Sequence, residues 1–204
     1  DFLMNRKVSA MDGIEHILSP QSIAVVGATN RPGSLGLAIF KNLLDGGYQG
    51  ILYPVNPKSK SIQGVKAYPA LLEIPDPVDM AVLIVPPGHV ANTIEDAAKK
   101  NIKGCIVITA GFKEIGGQGV EMEKHVKAVA KAHGIRLLGP NCLGAANTNP
   151  SVRMNASFAG TMPNPGNIAF ISQSGAMCVA VLDYAAGRHM GFSKSISIGN
   201  KADI

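Results

Sequence analysis

The stretch "SIAVVGATNRPGSLG" (Ser22–Gly36) decides how this chain is read. A short apolar run, "SIAVVG" (Ser22–Gly27), is the pattern of a strand buried on both faces of a parallel sheet. A turn carrying Gly27, Gly33 and Gly36 follows, and a helix is expected over Leu35–Asp45, stopping at Gly46-Gly47. Strand, glycine-bearing turn and helix open a βαβ unit. In such a turn backbone amides can approach a phosphate, and the helix N-terminus favours negative charge. The spacing is not G-x-G-x-x-G, and glycines also serve a tight bend. Position, more than motif, carries the reading.

The same alternation continues outward. "GILYPVN" predicts a second strand, "YPALLEIP" a short helix and "MAVLIVP" (Met80–Pro86) a third strand. A helix is expected over His89–Lys100, with Val90, Ile94, Ala97 and Ala98 on its apolar face. "GCIVITAG" (Gly104–Gly111) predicts a fourth strand, a helix is expected over Val120–His133, and "IRLLG" a fifth strand. Strands alternating with helices define an α/β fold, a Rossmann-like doubly wound parallel sheet. "AANTNPSVRMNASFAGTMPNPGN" is rich in Asn, Pro, Gly and Ser and is expected to cross between domains, with at most one short strand. The pattern then restarts with "NIAFIS" (Asn167–Ser172), a helix over "SGAMCVAVLDYAAGRHM" and a strand at "SKSISIG". The expected division is a first domain over 11–147 and the beginning of a second α/β domain over 148–204. Two strands and a helix cannot build a core alone, so the sequence is expected to be the front part of a longer protein.

Composition narrows the class. Hydrophobic residues are 46% and charged residues 16% of 204, which excludes a disordered chain. Apolar runs such as "AVLIV" fall far short of the roughly 20 residues of a membrane span, and no secretory signal is evident, so a soluble cytoplasmic protein is expected. Three scattered cysteines, Cys105, Cys142 and Cys178, read as reduced thiols, and no zinc-ligand spacing is present; no metal site is expected. The net charge of +5 is dispersed and aromatics are few, which disfavours nucleic acid.

The candidate site residues lie at strand ends. A strand that reads an NAD ribose closes on Asp or Glu; this one runs into Asn56, Pro57 and Lys58. A lysine there points to a ribose phosphate, which both NADP and coenzyme A carry. Pro86 and Pro87, the "ITAGF" that holds Ile108, Thr109 and Ala110, and the "GPNCLG" that holds Asn141 and Cys142 close three further strands. Ligands of open parallel sheets bind at those ends, and small or kinked residues suit an extended ligand lying against backbone. In the second unit Ser172 and Ser174 flank a turn, and Gly175-Ala176 open a helix whose free amides can hold a phosphate. "SQSGA" lacks the first glycine of a nucleophile elbow. His16, His89, His125, His133 and His189 show neither metal-ligand spacing nor an evident acid partner, and are expected to be structural or solvated.

Taken together, "SIAVVGAT", "PGSLG", "PVNPK", "VPPG", "ITAGF", "LGPNCLG", "ISQSG" and "SIGNKADI" resemble, in order and spacing, the nucleoside-diphosphate-forming acyl-CoA synthetases. That family includes the succinyl-CoA synthetase alpha subunit and the ADP-forming acetate–CoA ligases. The resemblance implies a coenzyme A-binding first domain and a flavodoxin-like second domain. It places Gly33, Ser34 and Leu35 at the phosphate-facing turn and Lys58 on the nucleotide phosphates. Ile108, Thr109 and Ala110 would line the groove, with Asn141 and Cys142 towards the thiol; Ser172, Ser174, Gly175 and Ala176 would hold a phosphoryl group. The implied reaction is reversible conversion of acyl-CoA, phosphate and ADP to acid, CoA and ATP, through an acyl phosphate and a phosphohistidine beyond residue 204. ADP or ATP and Mg would belong to an ATP-grasp domain or beta subunit, and an oligomer is expected. Ala110, Gln173 and Val179 stand where the succinate branch carries an acid, an Arg and a Tyr, which favours a small or apolar acyl group. Two alternatives stand: a non-catalytic CoA-binding module fused to a protein acetyltransferase, and an NADP-dependent oxidoreductase domain.

Overall fold

The computed structural model describes residues 13–204; the expected domain start at 11 lies outside them. After a short helix α1 (Ile14–Leu18), β1 (Ser22–Val26) runs into α2 (Leu35–Asp45), the helix bounds read from the sequence. The strands β2 (Ile51–Val55), β5 (Met80–Leu83), β6 (Gly104–Val107) and β7 (Arg136–Leu138) complete a five-stranded sheet of order β2-β1-β5-β6-β7. Every pair in it is parallel. Helices α3 (Pro87–Lys99) and α4 (Gln118–Ala132) supply the crossovers. The strand order reverses between β1 and β5, and that switch point leaves a crevice outside their C-terminal ends.

Alternation along β1 builds two cores from one strand. Ala24 and Val26 face one side and belong to the core cluster that holds Val90 and Ile94 of α3 and Val126 of α4. Ile23 and Val25 face the other, with Ile39, Phe40 and Leu43 of α2. All five β1 residues are buried, as a strand covered on both faces requires.

Three expectations change. "YPALLEIP" forms only a 3-10 turn at Leu71–Glu73. An unanticipated hairpin, β3 (Ser61–Ile62) and β4 (Val65–Lys66), precedes it. The presumed crossover segment contains two strands, β8 (Gly144–Asn147) and β9 (Met154–Ser157). They pair antiparallel with each other, and β8 pairs antiparallel with β11 (Phe192–Ser197). With β10 (Pro165–Ser172) parallel to β11, the second sheet has the order β10-β11-β8-β9. The last two strands and α5 (Gly175–Ala186) therefore extend this hairpin instead of standing alone. Small and amide residues conceal β8 and β9 from a propensity reading. Those residues are what permits their burial: Ala145, Met154 and Ala156 pack into the core cluster that holds Phe40 and Leu43. The buried Asn147 donates to Leu18 O at 2.7 Å, and the Ser157 hydroxyl donates to Asn155 Oδ1 at 2.7 Å.

Asn42 fastens α2 to this hairpin, its amide donating to Ser157 O at 2.8 Å and Ala159 O at 2.6 Å. Asn42→Ala strands two carbonyls and should cost about 1–3 kcal/mol of stability, read as a lower denaturant midpoint at unchanged m-value.

Candidate functional site

The turn between β1 and α2 is set by an approach of backbone to backbone. Gly27 has φ +97, and its N–H donates to Val55 O at 3.0 Å. A Cβ on Gly27 would overlap Ile84 O, and one on Gly36 would overlap Gly27 O. The first turn of α2 thus rests directly on the end of β1. Ser34 caps that helix, its hydroxyl oxygen accepting from Leu37 N at 3.3 Å and donating to Arg31 O at 2.7 Å. Leu35 follows, 44% exposed at the mouth of the crevice.

Beside this turn, Asn56 donates to Ala28 O at 2.7 Å and accepts from Lys58 N at 2.8 Å. It closes an Asx-type turn and braces the β2 end against the β1 loop. Pro57 and Lys58 are exposed, and Lys58 makes no ion pair with another described residue.

At the ends of β5 and β6, Pro86 is the N-cap of α3 and Pro87 its first residue, a position that lacks a donor no helix bond would use. The Thr109 hydroxyl donates to Val85 O at 2.7 Å and joins the two strand ends. Thr109 O in turn accepts from Asn141 N at 2.9 Å, which draws the "GPNC" loop in. Cys142 is 4% exposed, with its thiol 3.4 Å from Val107 O. Burial pushes that thiol up to about 12, only partly offset by nearby backbone hydrogen bonds, so it stays protonated near neutrality and is a poor nucleophile.

The second unit reaches this crevice through α5. Ser172 Oγ accepts from Ser174 N at 3.1 Å, and Ser174 caps the helix by accepting from Met177 N at 3.2 Å. Gly175 lies against Leu143: a Cβ there would be 3.4 Å from Leu143 Cβ, an ordinary contact.

A cleft of about 450 Å³ opens between these elements. It joins Leu35, Ile108, Thr109, Ala110, Asn141 and Cys142 to Ser174, Gly175 and Ala176 from the second unit. Gly27, Gly33, Ser34, Gly36, Asn56, Pro57, Lys58, Pro86, Pro87 and Ser172 are not in its lining; they shape the turns around it or lie on the adjoining surface. Three lining residues were not singled out in the sequence, Ile84, Leu143 and Phe158, while Gln173, read there as a departure from the succinate branch, lines the cleft as well. Ile84 and Leu143 adjoin strand-end motifs, so their position signalled them. Phe158, 37% exposed, comes from the segment taken for a crossover and carried no signal. Among the histidines, His16 has Asp79 at 3.9 Å, a contact the sequence did not suggest.

The cleft suits a long ligand with an apolar arm and anionic groups. Leu35, Ile84, Ile108, Leu143 and Phe158 give it apolar walls, and two helix N-termini, those of α2 and α5, border it. Coenzyme A has that character, and the glycine seat at Gly27 and Gly36 leaves backbone rather than side chain at the approach to the α2 end.

Comparison with known proteins agrees with this architecture. Residues 21–148 match the CoA binding domain family, and residues 165–204 match the succinyl-CoA ligase like flavodoxin domain. The chain belongs to the CoA-binding domain family. It is 46% identical over 191 residues to an ADP-forming acetate–CoA ligase of Methanocaldococcus jannaschii, a match covering 94% of this chain and 26% of that one. It is 44% identical over 192 residues to the alpha subunit of ADP-forming acetate–CoA ligase II of Pyrococcus furiosus, covering 94% of this chain and 41% of that subunit. Among solved structures, a dinucleotide forming acetyl-coenzyme A synthetase 1 of Ca. Korarchaeum cryptofilum, in complex with phosphate and ADP, superposes with a TM-score of 0.89. That match is 42% identical and covers 94% of this chain and 40% of the other. The chain thus spans only part of the length of the relatives it matches.

The two glycines of the first turn separate two kinds of cost. Gly36→Ala drives a methyl into the Gly27 carbonyl and should lower stability by about 1–3 kcal/mol. Gly33 is at φ +72 with open space around its Cβ direction, so Gly33→Ala adds only backbone strain and should cost about 1 kcal/mol. Thermal unfolding of the two variants measures the difference.

Proposed function

We propose that this chain is the CoA-binding part of an ADP-forming acid–CoA ligase, which interconverts acyl-CoA, phosphate and ADP with acid, CoA and ATP. The observation that supports it most is the single cleft where "ITAGF" and "GPNC" residues of one unit meet the α5 N-terminus of the other. In this reading the first domain, 11–147, holds CoA. The N-terminal amides of α2 and Lys58 take the nucleotide phosphates, with Gly27, Gly33, Ser34, Leu35, Gly36, Asn56, Pro57, Pro86 and Pro87 shaping the approach. Ile108, Thr109 and Ala110 line the groove for the pantetheine arm, and Asn141 and Cys142 stand near its thiol end. Bound CoA supplies the thiol that carries the acyl group. Cys142, held protonated by burial, does not compete with it.

The second domain, 148–204 with continuation, takes phosphate at Ser172, Ser174, Gly175 and Ala176. Ser174 caps α5 and Ser172 Oγ accepts from Ser174 N, which fixes the first turn of the helix and leaves its remaining free amides for an anion. Ala110 and the apolar walls suit a small or apolar acyl group. ADP or ATP with Mg belongs to an ATP-grasp domain or partner subunit, in a cytoplasmic oligomer; the name of the Pyrococcus furiosus relative, a subunit alpha, supports a partner subunit. No described helix is long and apolar enough to cross a membrane.

Calorimetric titration tests the reading. CoA should bind and NADP should not; tight NADP binding without CoA binding defeats it. Lys58→Ala should weaken CoA by about 1.5–3 kcal/mol, the range for a hydrogen bond to a charged group, and weaken dephospho-CoA less. Equal losses on the two ligands would remove Lys58 from the 3′-phosphate.

A further inference from the structure

The wall of the cleft formed by Ala110 and Asn141 is held from behind by one residue of the second unit. Asn200 lies in the loop after β11. Its backbone N–H donates to Pro140 O at 2.9 Å, and the next link, Ala202 N to Gly139 O, is 3.0 Å. The Asn200 side-chain amide donates to Glu114 Oε2 at 2.6 Å and to Glu123 Oε2 at 2.7 Å, and its oxygen accepts from Asn141 Nδ2 at 3.4 Å. Lys113 closes the group, 3.0 Å from Glu123 Oε1 and donating to the Asn200 carbonyl.

The other oxygen of Glu114 faces the cleft loop. It accepts from Gly111 N at 2.5 Å and Phe112 N at 3.1 Å, the two amides that follow Ala110. Burial pushes the Glu114 carboxyl up, but the Asn200 amide and these two backbone N–H groups outweigh it and hold the carboxyl below its ordinary value. Glu123 is 7% exposed, under a depression lined by Lys113, Lys124, Lys127 and Lys201. Two carboxylates thus share one neutral amide as donor. A buried polar group that loses its partner costs more than the bond was worth, and two carboxylates left facing each other repel.

We propose that Asn200 is a positioning residue for the ligand cleft, joining the loop after β6 and the "GPNC" loop so that the cleft takes its shape only when the loop after β11 is docked. The inference rests on the CoA reading for its ligand. It gives the second unit a part in CoA binding from residues that do not touch the cleft.

Asn200→Asp puts a third carboxylate where the shared donor stood. The ratio of its CoA dissociation constant to that of the native chain, taken by calorimetry, should be about tenfold at about pH 8. It should fall to about threefold or less at about pH 5.5, because a carboxyl among like charges protonates early and regains a donor. A ratio of one throughout, or a loss that does not change with pH, overturns the proposal. Asn200→Ala, which adds no charge, is read by amide hydrogen exchange: Gly111 and Phe112 should exchange about tenfold faster while the amides of β1 keep their protection. Unchanged exchange at Gly111 and Phe112 also overturns it. Failure of the native chain to bind CoA would instead defeat the ligand assignment, and the exchange experiment would still decide the role of Asn200.

Discussion

The contact of Gly36 with the Gly27 carbonyl is the constraint on which the rest of the molecule depends. With no side chain at either position, α2 can rest its first turn on the end of β1, beside the switch point of the sheet. That seat fixes the height of α2, and the height of α2 fixes what can lie on its outer side. Phe40 and Leu43 meet Met154 and Ala156 of the hairpin, and Asn42 reaches its carbonyls. The hairpin in turn carries β11 by antiparallel pairing from Gly144–Ser197 to Asn147–Lys194. Through β11 and β10 the N-terminus of α5 is set opposite the strand ends of the first sheet. A close approach at two glycines is thereby transmitted to a cleft wall more than a hundred residues further along the chain.

Charge is arranged sparingly around that cleft. Its lining holds no Lys, Arg, Asp or Glu; favourable polarity comes from two helix ends, and the formal charges stand outside or behind. Lys58 is on the surface, while Glu114, Glu123 and Lys113 are bound into the rear network. Fixed dipoles need no reorganisation when an anion arrives, whereas a buried lysine would carry a desolvation cost. The same economy explains Cys142, a small apolar side chain against Val107 rather than a reactive thiol.

The parts of the fold legible beforehand were those with a local cause. Helix α2 has a serine cap and a Gly-Gly stop, and its bounds agree with the reading. Buried parallel strands announce themselves as apolar runs, though "MAVLIVP" and "GCIVITAG" overshot, because after one last inter-strand bond each, from Ile84 N to Val26 O and from Ile108 N to Leu83 O, the chain turns out of the sheet at the crevice. "GAAN" and "MNAS" fell in or beside a segment read as a crossover with at most one short strand, since their residues are poor strand formers and rich in turn chemistry. They form strands because α2 and β11 supply the burial and the partner that their own propensity lacks.

By itself, the sequence determined the five strands of the first sheet and helices α2, α3 and α4, the doubly wound class and the strand-end position of every candidate motif, since each depends on periodicity and on residues a few places apart. Tertiary structure alone decided that Asn56 braces a turn, that Phe158 lines the cleft and that Asn200 joins three loops. The Asn56 bond to Ala28 O and the Asn200 bonds to Glu114 and Glu123 join distant parts of the chain, and no local pattern records them: the distance from Asn200 to Glu114 is set by every packed layer between β6 and β11. "SIAVVGATNRPGSLG" names a glycine turn that opens a helix, and only the packing of the second sheet against α2 places another helix end across from it.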